Sequence, residues 1–528
     1  MTEDRLTLSR RRLLQSCAGA ALGVGVASVL PAGCTTGHRE PSARPRSNIV
    51  FVQCDSMDGR IMGSLGHPAA HTPNLDRLAA RGVLFRNTYC NNPICCPSRS
   101  SMWSGRYTFH CEGWNNYKGL EPNAPTFRTH LDAAGYLTET CGKTDYLSGA
   151  HSQRARVTAW TRSAGIRLPA YDMGKPSVAE GPGAEPHAGD WNTVARCVRF
   201  LEENRAISRP FCLYCGLNAP HPAFKTARKW YDLIDPGRVT IPAMDGEVHP
   251  VMEYMRLVKN WKHGFAPDMV REVRRVYFAM IAEVDAMVGR LLKAVDDLGL
   301  AGSTYFIFTS DHGEMAMEHQ QYYKMCHYEP SVRVPLIVAG PGVRRGAAVG
   351  ELASLVDIYP TLMDMAGVPQ PQGLDGHSLM PDLVGAANPR PGWVLSEYHD
   401  STACTGMFML RKGDWKYMAF VGYEPMLFNL AEDPDEMHNL ARSQSRKCKD
   451  MDTELRAIVD YEAVDARVKD YDKRSFRSWR DRVRAGAEPL EEDGPGAARK
   501  SYEEMMASIY QGWGPQWDRK IEEWLSRR

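Results

Sequence analysis

Asn48-Ile49-Val50-Phe51-Val52-Gln53-Cys54 is a continuous apolar run that ends on Asp55. A run that does not alternate suits a strand buried on both faces, the centre of a parallel sheet covered by helices on either side. Ligand-binding groups gather beyond the carboxyl ends of such strands, which makes Asp55 a candidate working carboxylate. One short strand and two further buried strands also end on polar groups. Residues 137–141 run into Gly142-Lys143, residues 210–217 into Asn218-Ala219-Pro220-His221-Pro222, and residues 304–309 into Ser310-Asp311-His312-Gly313-Glu314.

Helical patterns separate these runs. Thr72 is an N-cap type ahead of Pro73, Gly82 is a stop, and Leu75, Leu78 and Ala79 lie on one face. Further helices are predicted over 125–134, 190–205 and 355–366. Val273, Val276, Met280, Val284, Met287 and Leu291 recur at helical spacing in one long amphipathic helix over 269–298. With a strand over 334–339, this alternation predicts an α/β fold, a mostly parallel sheet flanked by helices. After about residue 391 the pattern becomes short strands, 393–398, 407–412 and 415–421, joined by Gly-containing turns, which suits a smaller antiparallel sheet. The expected organisation is a main domain over 47–390, a small C-terminal subdomain over 391–470 and a helical extension over 471–528 with a Gly494-Pro495 break. Residues 150–189, rich in Gly, Pro and Ala, read as an irregular insertion over the site.

The chemistry is concentrated in Cys95-Cys96-Pro97-Ser98-Arg99, followed by Gly105-Arg106. Pro97 suits the first position of a helix, so the Cys95 thiol is expected at a helix N-terminus, where N–H groups and the dipole favour an anion. A Cys-Cys-Pro on its own would usually be a buried thiol pair. In this register, however, the segment resembles the signature of the sulfatase family, in which the first Cys is oxidised to formylglycine. The resemblance implies that Cys95, not Cys96, is modified by a formylglycine-generating enzyme. A hydrated aldehyde carries two hydroxyls, one to attack the ester and one to expel sulfate, an exit that a thiolate lacks.

The same resemblance implies an alkaline-phosphatase-like fold and the rest of a site. Asp55, Asp311 and His312 would hold one divalent ion together with an oxygen of modified Cys95, and carboxylate-rich ligation suits Ca²⁺. Lys143, His221 and Lys324 would donate to sulfate oxygens, and Arg99 would hold the aldehyde-derived oxygen. Within the family, the stretches 92–99, 114–120, 317–325 and 396–399 are similar to the arylsulfatase K branch. That branch removes the 2-O-sulfate of glucuronate, which implies a sulfated saccharide substrate with a uronic acid. Substrate choice is then expected to rest on Trp114 to Lys118, His319, and Glu397 to His399, with Lys118 a candidate partner for the carboxylate. Two positions depart from the common family pattern. Ser56 stands where most members carry a second Asp, and Asp145 stands where most carry a His that serves sulfate release, leaving Asp145 or His151 for that proton. Two other readings keep these residues but change the outcome: a phosphonate monoester or phosphodiester hydrolase, and a non-catalytic lipoprotein that binds sulfated glycan through unmodified Cys95.

Charge and cysteine usage narrow the partners. With 64 Lys+Arg against 63 Asp+Glu, a net charge of +1, no global field favours nucleic acid or a membrane surface. The 14 Cys show neither a disulfide framework nor zinc-site spacing, and Cys54, Cys141, Cys212 and Cys215 fall in strands as buried thiols. Ser9-Arg10-Arg11-Arg12-Leu13-Leu14 ahead of the Ala/Gly-rich stretch 18–30 looks like a twin-arginine signal ending near residue 34. Leu30-Pro31-Ala32-Gly33-Cys34 resembles a lipobox, so Cys34 is a candidate lipid anchor, and 35–46 is a polar linker. The expected location is the periplasm or a membrane-anchored lipoprotein. Export in the folded state would allow Cys95 to be oxidised in the cytoplasm first.

Overall fold

A computed structural model describes residues 46–149, 152–165, 175–181, 183–259, 266–488, 501–510 and 516–527. The signal, Cys34, His151 and Gly494-Pro495 lie outside the described residues. Seven strands form the main sheet: β1 (Asn48–Cys54), β2 (Val83–Tyr89), β3 (Leu137–Gly142), β4 (Phe211–Gly216), β5 (Thr304–Ser310), β6 (Arg333–Ala339) and β7 (Ala347–Ser354). Their order is β3-β4-β1-β5-β6-β2-β7, and β6 alone runs against the rest. The sheet is therefore mostly parallel, as the apolar runs predict.

The run at β1 is apolar throughout because each face meets its own core. Ile49 and Phe51 pack with Met102, Trp103 and Leu362 on one side of the sheet. Val50, Val52 and Cys54 pack on the other with Val276, Met280 and Val284 of the long helix Pro267–Asp297. Burying both faces removes the polar alternation that a half-exposed strand would show. The flanking pairs keep this register, with Val50 beside Leu213 on β4 and Phe306 on β5.

Two strands have no counterpart in the sequence reading. β7 is rich in Ala, contains Gly350 and lies at the sheet edge with several exposed positions, so its own residues carry little strand signal. β2 shows a register shift between Phe85 and Thr88 that breaks its alternation. β2 is a strand because β6 and β7 supply its hydrogen bonds, and β7 because β2 does.

Three local expectations are corrected. Thr72 does not cap the helix Pro73–Arg81; Asp285 on the long helix does so, accepting from the N–H groups of Asn74 at 2.9 Å and Leu75 at 2.7 Å. The helix after β2 starts at Cys95, which puts Pro97 third; its missing N–H still falls among the donors that a first turn leaves free. The 150–189 segment is not irregular throughout. Gln153–Trp160 is a helix whose Val157 and Trp160 pack with Phe476, Trp479 and Tyr502 of the C-terminal helices.

The small sheet is four-stranded and antiparallel: β8 (Trp393–Tyr398), β9 (Met407–Lys412), β10 (Trp415–Phe420) and β11 (Tyr423–Asn429). Its contact with the main sheet includes a buried ion cluster. Lys416 Nζ lies 3.0 Å from Glu329 Oε1 and 2.8 Å from Glu436 Oε1, with the Lys416 side chain fully buried. Lys416→Met should destabilise the protein by about 3 kcal/mol, because buried Glu436 loses its ion-pair partner and Glu329 is left with the more distant Arg333 and Arg411, each at 3.5 Å. Urea denaturation followed by circular dichroism checks this, and a loss below about 1 kcal/mol would contradict it.

Candidate active site

The four neighbouring parallel strands β3, β4, β1 and β5 release their chains at one edge. The loops there are stitched to each other by backbone bonds: Lys143 N–H to Gly216 O at 2.9 Å, Asp55 N–H to Ala219 O at 3.3 Å, and Asp311 N–H to Cys54 O at 3.3 Å. The close approach at β4 requires Gly216, since a Cβ there would fall 1.9 Å from the Lys143 carbonyl oxygen. Sequence-distant residues thus share one rigid rim.

The helix Cys95–Ser104 brings the nucleophile candidate to this rim. All ten of its residues are buried, and Trp103 anchors it by stacking on Tyr146 at 4.1 Å and meeting Tyr214 edge-on at 5.1 Å. Cys95 faces the strand ends, with its Sγ 3.3 Å from His312 Nε2. Cys96 points away, towards Leu147 O, and burial pushes its thiol up. Burial and the Asp55 charge oppose ionisation of Cys95, yet Lys324, Lys143 and His312 hold its thiol well below the ordinary range.

Asp55, Cys95, Asp311 and His312 each turn one ligand atom inward, and these atoms all lie within 4.8 Å of one another with every residue buried. His312 Nε2 is 3.6 Å from Asp55 Oδ1 and 3.6 Å from Asp311 Oδ1. Two buried carboxylate oxygens and an imidazole nitrogen converging with the side chain of residue 95 are the oxygen-rich donors that a hard cation takes. The donor set therefore fits a divalent ion. Ser56, at φ 69°, braces both carboxylates: its Oγ donates to Asp55 Oδ1 at 2.8 Å and its N–H to Asp311 Oδ1 at 3.3 Å. Where most family members carry a carboxylate, this chain has a hydrogen-bond donor.

Around this floor lies positive charge. Lys143 Nζ is 2.7 Å from Asp55 Oδ2 and 3.1 Å from Asp145 Oδ2. Burial alone would raise the Asp55 carboxyl, but Lys143, His221, Lys324 and His312 act on it together and hold it well below the usual carboxylate range. Lys324 is 2 % exposed and enters from a loop whose residues Ala316, Met317, His319, Gln320, Tyr323 and Met325 all have positive φ. Such backbone clusters where a side chain must be held in one place. Arg99 sits one layer deeper, fully buried, with Nε 2.7 Å from Asp311 Oδ2. Its Nη1 donates to Tyr214 Oη at 2.8 Å, Lys143 O at 3.1 Å and Gln53 Oε1 at 3.4 Å, and its Nη2 to Cys54 O at 3.4 Å. The site residues expected from sequence thus meet at one edge, with Arg99 turned to Asp311.

The residues expected to select substrate stand differently. His399 has no exposed side chain; its Nε2 faces Glu397 Oε2 at 3.0 Å and its ring meets Trp114 edge-on at 5.8 Å. His399, which the sequence reading expects to meet substrate, is oriented by Glu397 through Nε2. Lys118 is tied to Glu121, and His319 is tied to Asp245 Oδ1 at 2.7 Å while stacked on Tyr328 at 3.6 Å. Sequence reasoning also missed Gln53, Tyr214 and Asn116. Gln53 had a signal, a polar residue inside an otherwise apolar strand; Asn116 fell inside the 114–118 stretch expected to select substrate, but its bond to the Cys96 N–H, a contact made by folding, had no signal.

This edge of the sheet, with its cysteine, its anionic cluster and its lysines, defines a phosphatase-like hydrolase of ester anions, and comparison makes the class specific. The family model Sulfatase matches residues 47–368, and N-sulphoglucosamine sulphohydrolase, C-terminal, matches 317–461. The chain belongs to the sulfatase family of sulfuric ester hydrolases. Among its relatives, arylsulfatase K of Danio rerio is 38% identical over 92% of this chain and 95% of that one. Arylsulfatase K of Homo sapiens is 36% identical over 94% and 96%. The fold is shared with the phosphonate monoester hydrolase of Agrobacterium radiobacter, at TM-score 0.65 and 22% identity over 80% of this chain and 96% of that one. It is also shared with BT1596, a 2-O GAG sulfatase, at TM-score 0.60 and 22% identity over 87% and 96%.

Proposed function

We propose that this protein hydrolyses the 2-O-sulfate of a uronic acid, glucuronate, in a sulfated polysaccharide, with Ca²⁺ at the carboxylate cluster and formylglycine at position 95. The observation that carries this reading is the meeting of Cys95 with Asp55, Asp311 and His312 beneath Lys143 and Lys324. The likeness to arylsulfatase K supports the substrate class. When bound, a hard divalent cation would supply a Lewis acid and the oxidised side chain a geminal diol nucleophile.

The chain's own residues do the rest. Lys143 and Lys324 offer ammonium donors to sulfate oxygens from two sides, and His221 faces the same charges from the loop after β4. Burial pushes the Asp311 carboxyl up, Arg99 opposes that shift, and the bond of Arg99 to Oδ2 leaves Oδ1 pointed at the ion site. Asp145, beside Lys143, is the described carboxylate placed to take a proton at the mouth of the site. The buried floor keeps bulk water from the position of attack.

Purified enzyme, with its Cys95 peptide checked by mass spectrometry, should be screened against disaccharides sulfated at single defined positions. Turnover confined to 2-sulfoglucuronate supports the reading; preference for another position moves the substrate and leaves the class. An intact thiol in protein from its own host, with no turnover, would favour a glycan-binding role. The likeness to a phosphonate monoester hydrolase favours a second reading, and a higher kcat/KM on a phosphonate monoester than on an aryl sulfate would select it. Chelation should reduce turnover at least about a hundredfold, with recovery on adding Ca²⁺. Recovery with Mg²⁺ alone would change the metal assignment.

We further infer export by the twin-arginine route from the 9–14 and 18–30 segments, with Cys34 as a possible lipid anchor. Fractionation of the host checks this: replacing Arg10 and Arg11 by Lys should hold the chain in the cytoplasm.

A further inference from the structure

The nucleophile helix begins without a cap of its own. Ile94, at the N-cap position, has no side-chain acceptor, and Pro97 has no N–H. The Cys96 N–H is taken instead by Asn116 Oδ1 at 3.0 Å. Asn116 is in turn held in place, its N–H donating to Asp400 Oδ2 at 2.8 Å. Asp400 opens the loop between β8 and β9. At the far end of that loop, the Gly406 N–H donates to Asp465 Oδ1 at 2.8 Å. Asp465 lies on the helix Tyr461–Arg484 and shares Arg162 with Asp472, at 3.3 Å and 3.1 Å, with the Arg162 side chain fully buried. Hydrogen bonds, joined by the loop 400–406, therefore lead from a C-terminal helix to the amide beside Cys95.

We propose that Asn116 is a positioning residue for the side chain at position 95, and that Asp400 and the Arg162–Asp465–Asp472 cluster hold Asn116 for that purpose. An N–H left open at residue 96 would turn to the nearest anion, the side chain of residue 95 or the bound ester. Occupied by Asn116, it fixes the first turn, so that residue 95 stays aimed at Asp55, Asp311 and His312. The C-terminal helices then contribute to the site without touching substrate. This inference rests on Cys95 being the reactive residue.

The test uses the full chain. Hydrogen exchange of the peptide covering 95–104 is compared for the parent, Asn116→Ala, Asn116→Asp and Asp400→Ala, with kcat and KM measured in parallel. Asn116→Ala should exchange about fivefold faster in the first turn, the size of a lost cap. Its kcat should fall about tenfold while KM stays within about twofold, the pattern of a misaimed nucleophile. Asn116→Asp keeps the acceptor and should restore both. Asp400→Ala, which does not touch the helix, should loosen the same peptide to a smaller extent. Unchanged exchange in Asn116→Ala, or an effect confined to KM, would overturn the proposal. If the exchange difference stood while the parent hydrolysed no sulfate ester, the sulfatase assignment would fail and the cap would survive. Should Asn116→Ala fold poorly, Asp400→Ala and Asn116→Asp still decide the matter: full protection in the first and none in the second would refute the relay.

Discussion

Cys95→Ala should lower turnover of sulfate esters by at least about 10⁴-fold, the loss expected when the residue that forms the covalent bond is removed. Stability should barely change, since alanine suits the first position of a helix and Cys95 makes one side-chain contact, to His312. The pairing of these results matters: a lost activity with an unshifted melting curve points to chemistry, not folding. Cys96→Ala supplies the contrast. That thiol faces Leu147 O, away from the ion cluster, so its loss should leave most of the turnover. Residual activity above about 1% of the parent in Cys95→Ala, or equal losses in the two variants, would remove Cys95 from the centre of the reaction.

Asp311→Asn should cost both function and fold. The carboxylate serves two neighbours, the ion cluster through Oδ1 and Arg99 through Oδ2 at 2.7 Å. An amide keeps the shape but removes the charge, and Arg99 is left fully buried with its next carboxylate, Asp55, 4.0 Å away. Leaving a buried charge without its partner costs about 3–5 kcal/mol. For a chain of this size that lowers the melting temperature by roughly 3–5 °C. Turnover should fall by at least about 10³-fold, because the ion loses a ligand and the nucleophile its electrostatic support. Calcium binding by equilibrium dialysis, thermal melting and kcat/KM separate the two effects. A variant that binds Ca²⁺ normally and melts with the parent would refute both roles of Asp311. Lowered stability with normal metal affinity would keep the Arg99 partnership and reject the ligand.

Much of this was legible in the amino-acid order because the relevant signals are local. A strand buried on both faces must be apolar along its whole length, which exposes β1, β4 and β5, and the residues just past such strands are the ones the sheet presents together. Asp55, Asp311 and His312 stand at such strand ends, while Lys143 and His221 needed the family resemblance as well. The helix start at Cys95 was equally visible, though its first turn begins two residues before the proline. The edge strand β7 was not visible. Its Ala and Gly residues have no strand preference of their own, and it exists because β2 offers it hydrogen bonds.

What escaped the sequence reading depends on residues far apart in the chain. Asp285 caps a helix more than two hundred residues earlier, in place of Thr72. The orientation of His399 comes from Glu397 and Trp114, which no local pattern around it announces. Arg99 turns to Asp311, and Lys118 is already engaged by Glu121. The order of residues settled which chemical groups reach one edge of the sheet, because strand burial and helix periodicity are written in neighbouring positions. Which of those groups face the ion, which stand behind it and which are neutralised was settled by packing, because a charge excluded from water must find its partner wherever the fold puts one.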